Sequence, residues 1–585
     1  MIRNYIKTAI RSLLKYKAYT TLNIIGLSLG IACAIVMFLQ VSYDLSFDNF
    51  HSNADRIYRI NMITHHENLT EYDPGTPAPV AEALRQEYPN IEKVAQIVYF
   101  ETLDMNLPGN EAGAYEQKDI IFAEPQMLEM FDIEWKRGNP DVALRSPSDA
   151  VLTVSAAQKL FGAVPLDQMM GQELSLGGQV FMVNGIIEDI PENTVMPWQI
   201  LLATDAQKAL NPFYKPDDFG NVMTSSQTYV MIEDDFDLAL WEDQLSGFSD
   251  KYLSENGEKN VSLEVQPFKD LHFDERYESF QGQPVTKQSL LARSTIALLI
   301  LVIACVNFIN LTTAQSANRA KEVGVRKVMG SSRASLMTQF LSETLIIVLI
   351  SVLFSLVLAE LLIVNFGSIV EFPENIGVLN SPRLIPFIGL LLVVLTFLGG
   401  FYPSLIMTRF QPINAIRKNT KSGTGGKSGF RNALVVFQFV ITQVMVVGTI
   451  VTIQQMEFFK SKPLGFQRDS IIKVNFPESD SSKLALIDML WSEHAFVETV
   501  GLGSSAPTGS LNIESRFGYP STAKQRNYQA QIRIIDDDYL KAYGLNLIGG
   551  EDLNYNSASS DVLINEATAR LIGYDNPLDA IGDKI

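Results

Sequence analysis

Five long stretches of the chain carry almost no charge, and the segments between them alternate between apolar and polar. Residues 18–43 (AYTTLNIIGLSLGIACAIVMFLQVSY), 294–318, 384–408 and 432–456 contain no Asp, Glu, Lys or Arg, and 344–370 is interrupted only by Glu360. A helix needs about 20 apolar residues to cross a bilayer, so each stretch predicts a span. The two large segments, 44–293 and 457–585, read differently. Alternating runs such as QVFMVNGII (179–187) and SLEVQPF (262–268) predict strands, and PVAEALRQEY (79–88) predicts a helix. The expected fold class is a polytopic α-helical membrane protein carrying mixed α+β external domains.

Charge then sets the orientation. Segments 1–17, 319–343 and 409–431 hold 16 Lys and Arg against two acids, Glu322 and Glu343, while the two large segments hold 29 bases and 60 acids. Excess Lys and Arg marks the cytoplasmic side, so the N-terminal basic helix (1–17), the 319–343 loop and the 409–431 linker are predicted inside and the large domains outside. The formal net charge of −19 therefore belongs to the external domains, which argues against nucleic acid as a partner. The basic start followed by a 26-residue apolar run reads as an uncleaved signal anchor. Cys33, in GIAC, reads as a plain membrane cysteine, as does Cys305, and neither external segment contains a cysteine.

An internal repeat runs through the chain. MLEMFDIEWKRGNP (127–140) aligns with YLKAYGLNLIGGED (539–552), and VLTVSAAQKLFG (151–162) with VLINEATARLIG (562–573), at offsets of 412 or 411 that also carry the first span onto the fifth. One span, an external domain and three further spans form a unit that begins twice. On that logic the second copy stops early, and the expectation is a fragment of a protein of very roughly 800 residues with eight spans.

KSGTGGKSG (421–429) ends like a phosphate-binding loop, but the glycine required five positions before Gly426 is Lys421 and no strand precedes it. It reads as a flexible linker. Among polar residues inside the spans, Asn307 and Asn310 lie one turn apart, and Gln438 and Gln443 lie in the fifth span; both pairs suit hydrogen bonding between helices. Glu360 sits near the external end of the third span, either functional or free to reach outward. Histidines 51, 65, 66, 272 and 494 form no spacing that predicts a metal site, and no catalytic constellation is apparent.

The basic loop RAKEVGVRKVMGSSRASLMTQFLSETL (319–345) is the most informative segment. Arg319, Glu322, Arg326 and Lys327 fall at helical spacing, with Glu322 four residues ahead of Arg326 for an ion pair. Gly330 is placed to end one helix, and Ser331-Ser332 to cap the next. The pattern predicts two short helices joined by a glycine turn along the cytoplasmic face. Topology and contact with anionic lipid alone would explain its basic character, but not its glycines at 324 and 330.

The run 304–343 resembles the second span and coupling loop of the FtsX-like, MacB-like ABC transporter permeases. That family's loop has the form R-x-x-E-[IV]-G-[IV]-R-K-x-x-G, met here by Arg319, Glu322, Val323, Gly324, Val325, Arg326, Lys327 and Gly330. GGFYPSLIMTRFQPINAIRKN (399–419) is similar to its fourth span, and DIPENTVMP (189–197) to part of its periplasmic core domain. The resemblance implies an inner-membrane permease subunit that binds no cofactor and hydrolyses nothing. A separate cytoplasmic ABC ATPase dimer, holding ATP and Mg, would push on Arg319, Glu322, Val323, Gly324, Arg326, Lys327 and Gly330. The motion would pass to the periplasmic domains for export of a peptide, antibiotic or lipid-linked substrate. Membrane lipid and a periplasmic adaptor or outer-membrane component are the other implied partners, and two copies on one polypeptide resemble a double-length subgroup. Two alternatives stay open: a membrane-anchored sensor or scaffold without ATP-driven cycling, and the same fold serving lipoprotein release or cell-wall hydrolase activation.

Overall fold

The computed structural model describes residues 11, 13–65, 70–106, 115–211, 214–254, 260–277, 279–280, 284–367, 372–373, 376–409, 428–474, 481–509, 513–519, 526–553 and 561–584. Among these residues, five helices are long and apolar enough to cross a membrane: Lys17–Asp44, Lys287–Val328, Arg333–Phe366, Leu384–Arg409 and Ser428–Ser461. The chain divides into two compact units, residues 1–445 and 446–585.

In the first unit the first four long helices share one apolar core. Leu27, Ile31, Ile35 and Leu39 meet Ala304 and Cys305 of the second helix, Val348 and Val352 of the third, and Leu391 and Leu395 of the fourth. Small residues bring the backbones together. A Cβ on Gly30 would lie 2.5 Å from the Cβ of Ala304, and one on Gly399 would lie 2.3 Å from Cε1 of Phe308. Such contacts are the packing expected where lipid removes the hydrophobic drive between helices.

Between the first and second long helices lies a mixed α+β domain. Its strands are β1 (Ile57–His65), β2 (Thr70–Asp73), β3 (Lys93–Asn106), β4 (Tyr115–Ala123), β5 (Trp135–Gly138), β6 (Asp149–Thr153), β7 (Glu173–Leu176), β8 (Gln179–Ile187), β9 (Ile200–Ala203), β10 (Ser226–Met231) and β11 (Val261–Pro267). They form one sheet in the order β11-β1-β10-β3-β4-β9-β6-β8-β5, with β2 beside β1 and β7 beside β3 and β8. Pairs β4–β9 and β6–β8 are parallel and the rest antiparallel. The runs read as strands at 179–187 and 262–268 are β8 and, within a residue, β11; the helix read at 79–88 is Pro79–Glu87.

The domain is tied to the first two long helices through neighbouring strands. The first helix ends at Asp44 and leads into β1; β11 pairs with β1 (Tyr58 opposite Pro267) and leads back to the helix that starts at Lys287. Asp44 accepts from Arg293 Nη1 at 2.7 Å, and His272, 3.8 Å from Asp44, stacks on Phe47 with ring centroids 3.5 Å apart. The DIPENTVMP segment closes the joint: Asn193 donates to the Ser46 carbonyl, and Asp48 accepts from the Thr194 hydroxyl at 2.6 Å and from the Val195 N–H.

Two buried groups make this joint sensitive to pH. Burial pushes the Asp48 carboxyl up to about 7, against the hydrogen bonds from Thr194 and Val195, and pushes the His51 imidazole down to about 4. Between the ordinary carboxyl value of 3.8 and about 7, the folded chain keeps a proton on Asp48 that the unfolded chain releases, so this stability is lost as pH rises through that window. Between 6.5 and about 4 the unfolded chain takes a proton on His51 that the folded chain refuses, so this contribution is lost as pH falls. Asp48→Asn is therefore expected to raise the unfolding temperature of the full chain at pH 8 and to leave it unchanged near pH 4. Tryptophan fluorescence provides the readout, since Trp198 lies 6.3 Å from the His51 ring; equal effects at both pH values would refute this assignment.

The second unit, taken by itself, contains a hairpin of β12 (Ile513–Tyr519) and β13 (Arg526–Ile532), with short helices Tyr539–Ala542 and Glu566–Leu571. Local geometry recurs here at the offset read from the sequence. Gly138, Gly162 and Gly171 have φ of 96°, 78° and 73°, and Gly550, Gly573 and Gly582 have φ of 86°, 109° and 84°. Thr153 caps Val154–Phe161 through the Ala156 N–H, and Asn565, one residue past the position aligned with Thr153, caps Glu566–Leu571 through the Thr568 N–H. Glu124 accepts the Gln96 N–H, and Asp536, at the same offset from Glu124, accepts the N–H of Leu502, which lies off the offset from Gln96; burial raises the carboxyl in both.

Candidate coupling site

The loop expected to carry two separate short helices is instead the closed end of a helical hairpin. The second long helix runs unbroken for 42 residues from Lys287 to Val328, and the third starts at Arg333. No proline interrupts 287–328, and Gly324, though costly in a helix, sits on the buried side. Gly330 supplies the stop: at φ 94° its N–H reaches the Lys327 carbonyl, while the Ser331 N–H reaches Arg326, the paired bonds of a glycine-terminated helix. Ser332 Oγ then accepts the Ser335 N–H and caps the third helix.

A small apolar seam holds the hairpin shut. Val323 (4% exposed) and Leu336 (2%) pack together with Phe340. This corrects the assignment of Val323 and Gly324 to a partner-facing surface: both are buried, and they shape the hairpin. The outward residues are Val325, Val328 and Met329, the last 82% exposed. They are flanked by cations; partial burial and the neighbouring Arg333 hold the Lys327 ammonium below its usual range. The tip is an apolar knob with a basic collar.

Arg326 turns back along the hairpin. Its Nη1 donates to Gln339 Oε1 at 2.7 Å, and Gln339 Nε2 donates to Glu343 Oε1 at 3.2 Å. The side chains of Arg319 and Glu322, and with them the expected Glu322–Arg326 pair, lie outside the described residues. So does the 421–427 part of the glycine-rich linker. Gln339 does not stand out in the sequence as a site residue, although its spacing of four from Glu343 is the signal that would have found it.

The intramembrane candidates scatter. Asn307 is exposed, while Asn310 Oδ1 is buried with no hydrogen-bond partner among the described residues. Glu360 does not reach outward: its carboxylate accepts the Val378 N–H at 3.0 Å and anchors the connection between the third and fourth long helices. Gln438 is half-buried and Gln443 exposed.

Two family models match the chain where this geometry lies: the MacB-like periplasmic core domain over residues 20–248, and the FtsX-like permease C-terminal region over residues 294–412. The chain belongs to the FtsX- and MacB-like ABC transporter permeases. The permease is 22% identical over 431 residues to the macrolide export ATP-binding/permease protein MacB of Campylobacter jejuni (subsp. jejuni serotype O:23/36, strain 81-176), covering 70% of this chain and 61% of that protein. It is 28% identical over 130 residues to the protein of the same name from Neisseria gonorrhoeae (strain ATCC 700825 / FA 1090), covering 22% of this chain and 19% of that one. The permease thus spans about three fifths of the length of the Campylobacter relative. Among solved structures, a domain of a putative permease protein from Porphyromonas gingivalis is 20% identical, covers 42% of this chain and 99% of that one, and has a TM-score of 0.31.

Proposed function

We propose that this permease receives the motion of a separate cytoplasmic ABC ATPase dimer at its 325–333 tip and carries it across the inner membrane to the external α+β domain. The observation that supports this reading is the second long helix, unbroken from Lys287 beside the domain joint to Val328 at the tip. At 1.5 Å per residue it is a rod of about 60 Å. Displacement at one end of such a rod moves the other, because bending it costs backbone hydrogen bonds. The Asp44–Arg293 pair and the β1–β11 pairing fasten its outer end to the first helix and to the sheet.

The basic excess favours a cytoplasmic tip and a periplasmic domain. ATP and Mg belong to the partner, whose groove would present an apolar floor with an acidic rim to Val325, Val328 and Met329 and their basic collar. The recurrent local geometry near residues 536–582 favours a second copy of the same unit on the chain, which would supply the second arm a dimeric ATPase needs. The name of the Campylobacter relative, a macrolide exporter, favours an antibiotic or similarly sized molecule as cargo. The experiment is purification of the full-length product from its own host in mild detergent. A cytoplasmic ATPase is expected to co-purify in stoichiometric amount; a clean preparation without one would favour the sensor or scaffold reading.

A further inference from the structure

Gln339 and Glu343 are buried at 9% and 6% exposure on the third long helix, one turn apart and inward of the tip. The amide of Gln339 is used at both ends: its oxygen accepts from the Arg326 guanidinium, and its N–H donates to the Glu343 carboxylate. A cation at one end and an anion at the other polarise the amide in the same sense, so each hydrogen bond strengthens its neighbour. Glu343 in turn lines a cavity of about 30 Å³, large enough to admit a water, together with Tyr19, Thr312, Gln315, Thr344 and Pro403. Those residues come from the first four long helices. Tyr19 donates to Thr312 across the first and second at 2.8 Å. The fourth helix carries Pro403 in its interior, where one backbone hydrogen bond is missing.

We propose that Arg326, Gln339 and Glu343 are a positioning relay through which displacement of the tip resets this polar junction of the four helices. The proposal rests on the reading that the tip contacts an ATPase. If docking draws Arg326 outward, Gln339 must follow it or be left buried without its acceptor filled, which costs more than the bond itself contributes. Glu343 then loses or shifts its donor at the point where all four helices touch. The apolar seam of Val323, Leu336 and Phe340 keeps the hairpin closed meanwhile, so the movement goes inward instead of opening the tip.

The test uses the full-length permease with its co-purified ATPase in lipid nanodiscs, comparing wild type with Gln339→Met, Glu343→Met and Glu343→Gln. Methionine fills the same space without either hydrogen bond, while glutamine at 343 keeps an oxygen that accepts from Gln339. ATPase is expected to co-purify with all four in the wild-type ratio. Stimulated hydrolysis per complex is expected to fall about tenfold in both methionine variants, the scale of one charge-assisted hydrogen bond, and to stay near wild type in Glu343→Gln. A purely structural role would lower the yield and melting temperature without changing hydrolysis per assembled complex. The relay is overturned if the methionine variants are stimulated like wild type, or if Glu343→Gln loses as much as Glu343→Met. Failure of the wild-type chain to capture any ATPase would instead overturn the coupling reading, and the relay with it.

Discussion

Arg326→Glu is expected to abolish most of the stimulation of the partner ATPase, by about a hundredfold, while leaving the chain folded and inserted. Three losses add on one residue. The charge-assisted bond to Gln339, on the order of 2 kcal/mol, disappears. A carboxylate then faces the amide oxygen of Gln339, with Glu343 one turn further in. The basic collar around Val325, Val328 and Met329 is also reversed toward the acidic rim expected of the partner. Together these amount to about 3 kcal/mol, or roughly two orders of magnitude in rate. Folding is spared because Arg326 is only half-buried and the hairpin closes on Val323, Leu336 and Phe340. Reversal of the more peripheral Lys327 should cost less. Membrane yield, gel-filtration profile and hydrolysis rate, measured together, check this; unaltered stimulation with normal docking would defeat the assignment.

Gly399→Leu should do the opposite, damaging assembly of the helices before function is reached. A Cβ at 399 falls 2.3 Å from Phe308, an aromatic ring that is itself 2% exposed and has no room to withdraw. Overpacking of this kind costs about 3 kcal/mol when the backbone must shift. Phe308→Ala, made together with Gly399→Leu, should recover much of the loss, because the clash is between these two residues. Gly389 on the same helix provides the contrast: a Cβ there meets nothing within 4 Å, so Gly389→Ala should be neutral or mildly stabilising, alanine being the better helix former by about 1 kcal/mol. Thermal unfolding of the detergent-purified chain measures these variants, and a tolerated Gly399→Leu would mean that the second and fourth helices do not pack this closely.

Features written in short-range patterns are legible in the order of residues alone. The five apolar runs are the five long helices, the alternation at 179–187 is β8, and Gly330 followed by Ser332 is the stop and start of the hairpin. What depends on distant residues is not legible in this way. Val323 enters the partner surface only through its place in the family's loop motif; its burial follows from closure onto Leu336 and Phe340, which periodicity along one helix does not contain. The stop at Gly330 is legible and takes a positive φ, but the two helices it separates are the ends of the second and third long helices, a continuity the basic loop's composition hides. Glu360 looks free to reach outward, but the chain turns back and offers it the Val378 N–H. The joint of Asp44, His272 and Arg293 draws on positions more than 200 residues apart and leaves no local trace.

The coupling of tip to ATPase is tested most directly by ATP hydrolysis of the full-length complex in lipid, set against the same ATPase alone. Hydrolysis is expected to be faster in the complex and to fall back to the rate of the isolated ATPase with Arg326→Glu. An ATPase that turns over at one rate with the permease bound, absent or reversed at Arg326 would contradict the account.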